Sequence, residues 1–287
     1  MPQFPRFRIR TLLILVGVAS IALALLPLEP WRESRAIKSL AKAPFASSLE
    51  FRPAVCLLGI AIPWRQTVVG ASITLYGSGE VNVAPTSASF RDFEALVNLE
   101  KFTVAYVGSN SENYAIPIAP RNPATSHLSL TAVQINKETI DSFALNLPNL
   151  KSIALKPHRD SSYSTGTYEK LFSLSSLVDV TVECTRLDGE DILALSKSKV
   201  NHLSIYDSDL SESAIAYLGD CRSLERLEIH SQYLTEGCFD SISRLLLSTQ
   251  ISSIDVRLPF SGKTSSRVEE LMAVAAQKGV MLSISRY

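Results

Sequence analysis

The chain predicts an α/β solenoid, with parallel strands along a concave face and short helices on the convex face, behind one N-terminal transmembrane helix. Three observations carry that expectation. A short apolar phrase recurs at a nearly fixed period. Columns downstream of it read as a capped amphipathic helix, and an uncharged apolar run follows a cluster of arginines at the N-terminus.

The phrase is an apolar residue, any two, a second apolar residue, any one, and a third. It reads Leu99-Phe102-Val104, Thr125-Leu128-Leu130, Leu150-Ile153-Leu155, Leu177-Val180-Val182, Val200-Leu203-Ile205, Leu224-Leu227-Ile229 and Ile251-Ile254-Val256. Its starts lie 26, 25, 27, 23, 24 and 27 residues apart, and only Thr125 breaks the apolar rule. The last two anchors of each phrase are two residues apart, which puts them on one face of a strand. Ten residues after the start, four units place Ile135, Leu187, Leu210 and Leu234, followed by Asn136, Asp188, Ser211 and Thr235. The side-chain oxygens of these four can accept the unpaired N–H groups of a first helical turn. Ile140, Ile192, Ile215 and Phe239 follow, then Phe143, Leu195, Leu218 and Ile242. That spacing writes an apolar helical stripe. Strand, turn and capped helix thus repeat in register.

These units together resemble the leucine-rich repeat family, whose period is 20–29 residues, over about 190 of the 287 residues. The resemblance implies a fold and a binding role, because each unit buries its apolar face only on its neighbours and the fold itself fixes no chemistry. It carries over no specific binding residue. One column departs from the family. Where its members usually carry an Asn whose amide joins neighbouring turns into a ladder, this chain has Val107, Val133, His158, Thr185, Ser208, Gln232 and Pro259. The expectation is a divergent solenoid without that ladder.

Three segments follow: an anchor over 1–30, a juxtamembrane helix and connector over 31–68, and the solenoid with its caps over 69–287. Arg6, Arg8 and Arg10 precede an uncharged run from Thr11 to Leu26, ended by Pro27 and Glu29. Sixteen helical residues rise about 24 Å, short of a hydrocarbon core of about 30 Å. Extending the span to residues 9–28, with the arginines reaching the headgroups, makes a single crossing feasible. A cleaved signal peptide, with Ala22-Leu23-Ala24 as the small-residue site, would instead give a secreted protein. The arginine cluster orients the N-terminus inward and the repeats to the extracytoplasmic side, although Arg32, Arg35, Lys38 and Lys42 follow the span. The opening FRIRTLLILV, a basic helix and then repeats is similar to the N-terminally anchored leucine-rich repeat proteins of planctomycete bacteria. There a helix and a strand precede the array, and Ala36–Lys42 and Ser48–Phe51 match those places.

Farther along, residues 52–66 form an apolar connector, and Ile73 and Leu75 suggest a degenerate capping strand. A proline-bearing loop from Asn110 to Pro123 replaces one helix, and a Ser-rich excursion from Pro157 to Gly166 lengthens another unit and is expected to project from one rim. A helix around Ser265–Lys278 and the alternating Val280-Leu282-Ile284 close the array.

Composition excludes several functions. With 28 basic and 28 acidic residues the net charge is zero, and no basic stripe rises from the repeats, so nucleic acid is not expected as a partner. No phosphate loop, dinucleotide fingerprint, HExxH or GxSxG occurs. Ser39-Leu40-Ala41-Lys42 matches S-x-x-K without companion motifs. Cys56, Cys184, Cys221 and Cys238 lack metal-ligand spacing. No cofactor, metal or catalytic residue is expected.

What remains is the concave face. The column between the last two anchors ends in Glu228 and Asp255, and the column after the third anchor runs through Lys156, Glu183, Tyr206, His230 and Arg257. Parallel strands lie about 4.8 Å apart, so Glu183, Tyr206, Glu228, His230, Asp255 and Arg257 form one polar, ring-containing patch. The expected function is non-enzymatic binding of a protein or envelope component there. A regulatory or substrate-presenting enzyme subunit is the alternative. The anchor gives a direct expectation: the protein sediments with membranes and resists carbonate extraction, and deletion of the residues before Glu29 releases it. Protease added to intact spheroplasts should digest the repeats. Protection until lysis would reverse the topology, and a mature N-terminus near Leu25 would identify a cleaved signal.

Overall fold

Along the central strands, buried and open side chains alternate, so one face of the sheet packs on helices and the other stays open. The computed structural model describes residues 29–40, 46–53, 56–57, 60–61, 66–77, 92–96, 98–108, 119–158, 161, 163–232, 234, 238–247, 250–259 and 266–286. It is an α/β protein with a mostly parallel sheet and short helices. Helix α1 (Glu29–Leu40) leads to β1 (Ala46–Pro53), a small hairpin of β2 (Cys56–Leu57) and β3 (Ile60–Ala61), and β4 (Gln66–Gly77). Then come β5 (Lys101–Gly108), β6 (His127–Thr131), α2 (Lys137–Asn146), β7 (Ser152–Lys156), α3 (Glu169–Phe172), β8 (Asp179–Glu183), β9 (Arg186–Leu187) and α4 (Gly189–Lys197). The chain continues with β10 (His202–Tyr206), β11 (Asp209–Leu210), α5 (Glu212–Leu218), β12 (Arg226–His230), α6 (Cys238–Leu247), β13 (Ser253–Leu258), α7 (Ser266–Lys278) and β14 (Met281–Arg286). The ten-stranded sheet is ordered β1-β4-β5-β6-β7-β8-β10-β12-β13-β14. Only the β1–β4 pair in it is antiparallel.

Each new strand is placed by the same two devices. The anchors of all seven phrases are buried, stacking column on column. At the start of each strand, one carbonyl accepts two successive N–H groups from the next unit: Glu100 from Ser126 and His127, Lys151 from Val178 and Asp179, Asn201 from Glu225 and Arg226. Thr125, the exception to the apolar rule, is fully buried and donates its hydroxyl to the Leu99 carbonyl at 2.8 Å. Ser176 and Ser223 do the same for the carbonyls of Leu150 and Val200. At the strand exits, Ala132, Cys184 and Asp207 occupy one repeat position with φ of 55°, 54° and 45°. Their N–H groups bond the carbonyls of Lys156, Tyr206 and His230 on the next strand, which is what holds this costly conformation.

The helices follow their caps. Asn136, Asp188 and Ser211 each accept the expected N–H groups, while Thr235 lies outside the described residues. The apolar columns from Ile135 to Ile242 are buried throughout. Gly189 is required by close approach: a Cβ there would stand 2.6 Å from Ser213 Oγ on α5.

Several expectations are revised. Helix α1 begins at Glu29, seven residues before the expected Ala36, with Pro30 in its first turn, where its missing N–H costs nothing. Ala36 and Leu40 bury into the core, and Glu33 accepts the Val68 N–H at 2.9 Å. Strand β1 covers one edge of β4 in the sheet. Within the Ser-rich excursion, Ser164 and Thr165 are exposed while Ser161 and Gly166 are buried, and Ser161 Oγ accepts the Ile135 N–H at 3.2 Å. Thr167 and Tyr168, just beyond it, are buried. A short helix, α3, closes that unit. Among the described residues no helix is long and apolar enough to cross a membrane, and the expected span at 9–28 lies outside them.

In place of an amide ladder runs a seam of hydroxyls. Tyr168 Oη lies 2.6 Å from Thr185 Oγ1, Ser208 Oγ accepts the Thr185 N–H at 3.3 Å, and Ser231 Oγ donates to the Ser208 carbonyl at 2.7 Å. Beside it sits Asp191, 1% exposed, whose carboxylate accepts the N–H of Tyr168 at 2.7 Å and of Asp188 at 3.1 Å. Asp188 in turn accepts the Gly166 N–H at 2.8 Å, so two carboxylates clamp the excursion to the start of α4.

Burial pushes the Asp191 carboxyl up to about 7 against those hydrogen bonds, with the Asp188 charge adding to the rise. A raised carboxyl gives its full stabilisation below its unfolded pKa near ~4 and loses it as pH rises through the folded value. Stability, read as a urea midpoint, should therefore fall between pH 5 and 8 by up to about 3 kcal/mol from this group. Asp191→Asn, which cannot ionise, should start less stable at pH 5 and lose markedly less by pH 8. Parallel profiles would show that Asp191 is not the titrating group.

Candidate functional site

The open face of the sheet carries three columns set by the register. The first runs Lys101, His127, Ser152, Asp179, His202, Arg226, Ser253 and Met281. The second carries Thr181, Ser204, Glu228, Asp255 and Ser283, and the third Glu183, Tyr206, His230, Arg257 and Ser285. Strand pleating alone aims these side chains outward, since their neighbours on either side are the core anchors.

Four of the expected patch residues join into one chain of contacts from β10 to β13. Tyr206 Oη donates to Glu228 Oε2 at 2.5 Å, and the Tyr206 and His230 rings meet edge to face with centroids 5.1 Å apart. His230 Nε2 faces Asp255 Oδ2 at 3.2 Å. Glu228 also receives Arg226, which donates from Nε at 2.8 Å and from Nη2 to the same oxygen Oε1. The Tyr206 hydroxyl, then Arg226, holds the Glu228 carboxyl below its ordinary range, while burial and Glu228 push the Tyr206 phenol up. Near neutral pH the site is therefore a fixed carboxylate acceptor with a fixed phenol donor.

The other two patch residues stand apart. Glu183 turns to an ion pair with Lys156 of β7, whose ammonium it holds above the usual range. Arg257 is exposed, with no side-chain partner among the described residues. Arg226 was missing from the expected patch, as was the whole first column. The signal was available, because the residue just before the second anchor alternates onto the same face. That column opens a cleft of about 670 Å³ beside the network, lined by His202, Arg226, Glu228, Ser253, Asp255 and Ser283 among others.

Other candidates lie elsewhere. Ser39 of the S-x-x-K match donates its hydroxyl to Asp92 at 2.7 Å. Cys221 and Cys238 are buried, and burial pushes the Cys221 thiol up to about 12. Cys184 is half-buried at a strand exit, and no two of these three cysteines are bonded. Among the described residues no three His, Cys, Asp or Glu side chains converge as a metal-ligand set. No protein-family model and no curated protein matches the chain.

Tyr206→Phe isolates the central hydrogen bond. The Glu228 carboxyl, losing its main stabilising donor, should titrate at higher pH in a carbon-detected NMR experiment. Stability at neutral pH should drop by about 1–2 kcal/mol. An unmoved Glu228 titration would remove the bond from the account.

Proposed function

We propose that this chain is a non-enzymatic, membrane-anchored leucine-rich repeat protein. It binds a protein or envelope component on the concave face formed by the open side of the sheet, with the repeats on the extracytoplasmic side. The supporting observation is the linked set Arg226, Tyr206, Glu228, His230 and Asp255, already held in place by its own hydrogen bonds. Side chains fixed before a ligand arrives lose little freedom on binding, so more of each contact appears as affinity. From β6 to β14 a short helix lies between each strand of the sheet and the next, in the order of the sequence, which supports the repeat assignment.

The reading predicts capture without turnover. Full-length protein solubilised from membranes should retain a partner that a Tyr206→Ala, Arg257→Ala double variant retains at least about tenfold less, a loss expected when ring and cation anchors are truncated. Equal recovery by both proteins would place binding elsewhere.

A further inference from the structure

Resting on that reading, we infer that the ligand of the concave face is a neutral, hydroxyl-rich molecule, a saccharide, seated in the cleft between β10 and β14. The cleft, about 670 Å³, lies within the range of small-ligand sites. Its chemistry is what selects the ligand.

The charges that line it are satisfied from within the protein. Glu228 takes Tyr206 and Arg226, and Asp255 faces His230. A cationic ligand would compete with Arg226 and His230 for these carboxylates, and an anionic one would meet two carboxylates one strand apart. A neutral ligand does neither. What the network leaves over is a mixture of donors and acceptors. Asp255 retains its Oδ1, Arg226 its Nη1, and Ser253, Ser283 and His202 their polar side-chain atoms, none of them bonded to another described residue. Closely spaced donors and acceptors of both kinds suit a ring of hydroxyls, each of which donates and accepts at once. Charged acceptors and donors held in place strengthen such bonds.

A protein partner fits the cleft less well. Protein interfaces centre on desolvated apolar and aromatic anchors. Met281 is the only large exposed apolar side chain among the described residues lining the cleft. Beside the carboxylates and hydroxyls there, that side chain suits the C–H face of a sugar ring.

The test uses full-length protein in lipid nanodiscs, free of sugar-based detergents, on a printed array of neutral and acidic glycans, followed by calorimetry with the best-retained glycan. Neutral glycans should be retained, with affinity insensitive to added salt. Glu228→Gln and Asp255→Asn should each weaken binding at least about tenfold, while Lys170→Ala on the helical side leaves it unchanged. Thermal melts by circular dichroism confirm that each variant is folded. Retention of acidic glycans alone, of none, or of the same glycan by Glu228→Gln overturns the inference. If no glycan is retained but a purified protein partner binds and is lost in the Tyr206→Ala, Arg257→Ala variant, the concave-face reading survives without the saccharide. If neither binds, both fall.

Discussion

Six junctions between successive strands of the described sheet depend on a backbone carbonyl at the start of one strand that accepts two consecutive N–H groups from the next unit. The pattern recurs at Glu100, Ser126, Lys151, Val178, Asn201 and Glu225. It fixes where each strand begins relative to the one before it, and the strict period-2 alternation does the rest. A slip of one residue would send the core anchors to the open face. The columns of the open face are therefore a consequence of the core. Tyr206 meets His230, and Glu228 sits beside Asp255, because Leu203, Leu227 and Ile254 stack beneath them.

Hydroxyls replace amides in this architecture. A ladder of amides satisfies turn groups with one long side chain per unit. Here Thr125, Ser176 and Ser223 serve carbonyls at the strand starts, and Thr185, Ser208 and Ser231 serve the turns. A hydroxyl donates once and accepts twice on a short stem, so each reaches only the adjacent unit. Tyr168 joins the seam through its own hydroxyl, 2.6 Å from Thr185 Oγ1. The same region holds Asp191, a buried carboxylate at a helix start, which ties the enlarged unit to its neighbour.

The repeat was legible because its signals are local and redundant. Anchors, cap and helical stripe each report the same unit, and Asn136, Asp188 and Ser211 cap where the pattern puts them. Readings failed where distant packing decides. Pro30 is a local mark of the start of α1 at Glu29, while the bond from the Val68 N–H to Glu33, thirty-five residues away, could not be read locally. The excursion read as a projecting loop because it lengthens its unit. Its end is tied down by Asp188 through Gly166, and the next helix start by Asp191 through Tyr168, both more than twenty residues away in sequence. Strand alternation was enough to gather the patch residues, and partner choice was not. Lys156 drew Glu183 aside, and Arg226 reached Glu228 from a column left out of the reading.

That partner choice gives the open face its character. Tyr206 is the one residue there that touches both the carboxylate line and the imidazole, through its hydroxyl and its ring. Its backbone carbonyl accepts from Ser208 of the hydroxyl seam and from the Cys184 N–H at a strand exit. One strand residue thus connects the buried turns to the exposed polar network. The seam and the face are joined through that residue by covalent and hydrogen-bonded links, with no helix in between. Donors and acceptors tied together in this way lose less freedom on binding, which is what the proposed binding role asks of them.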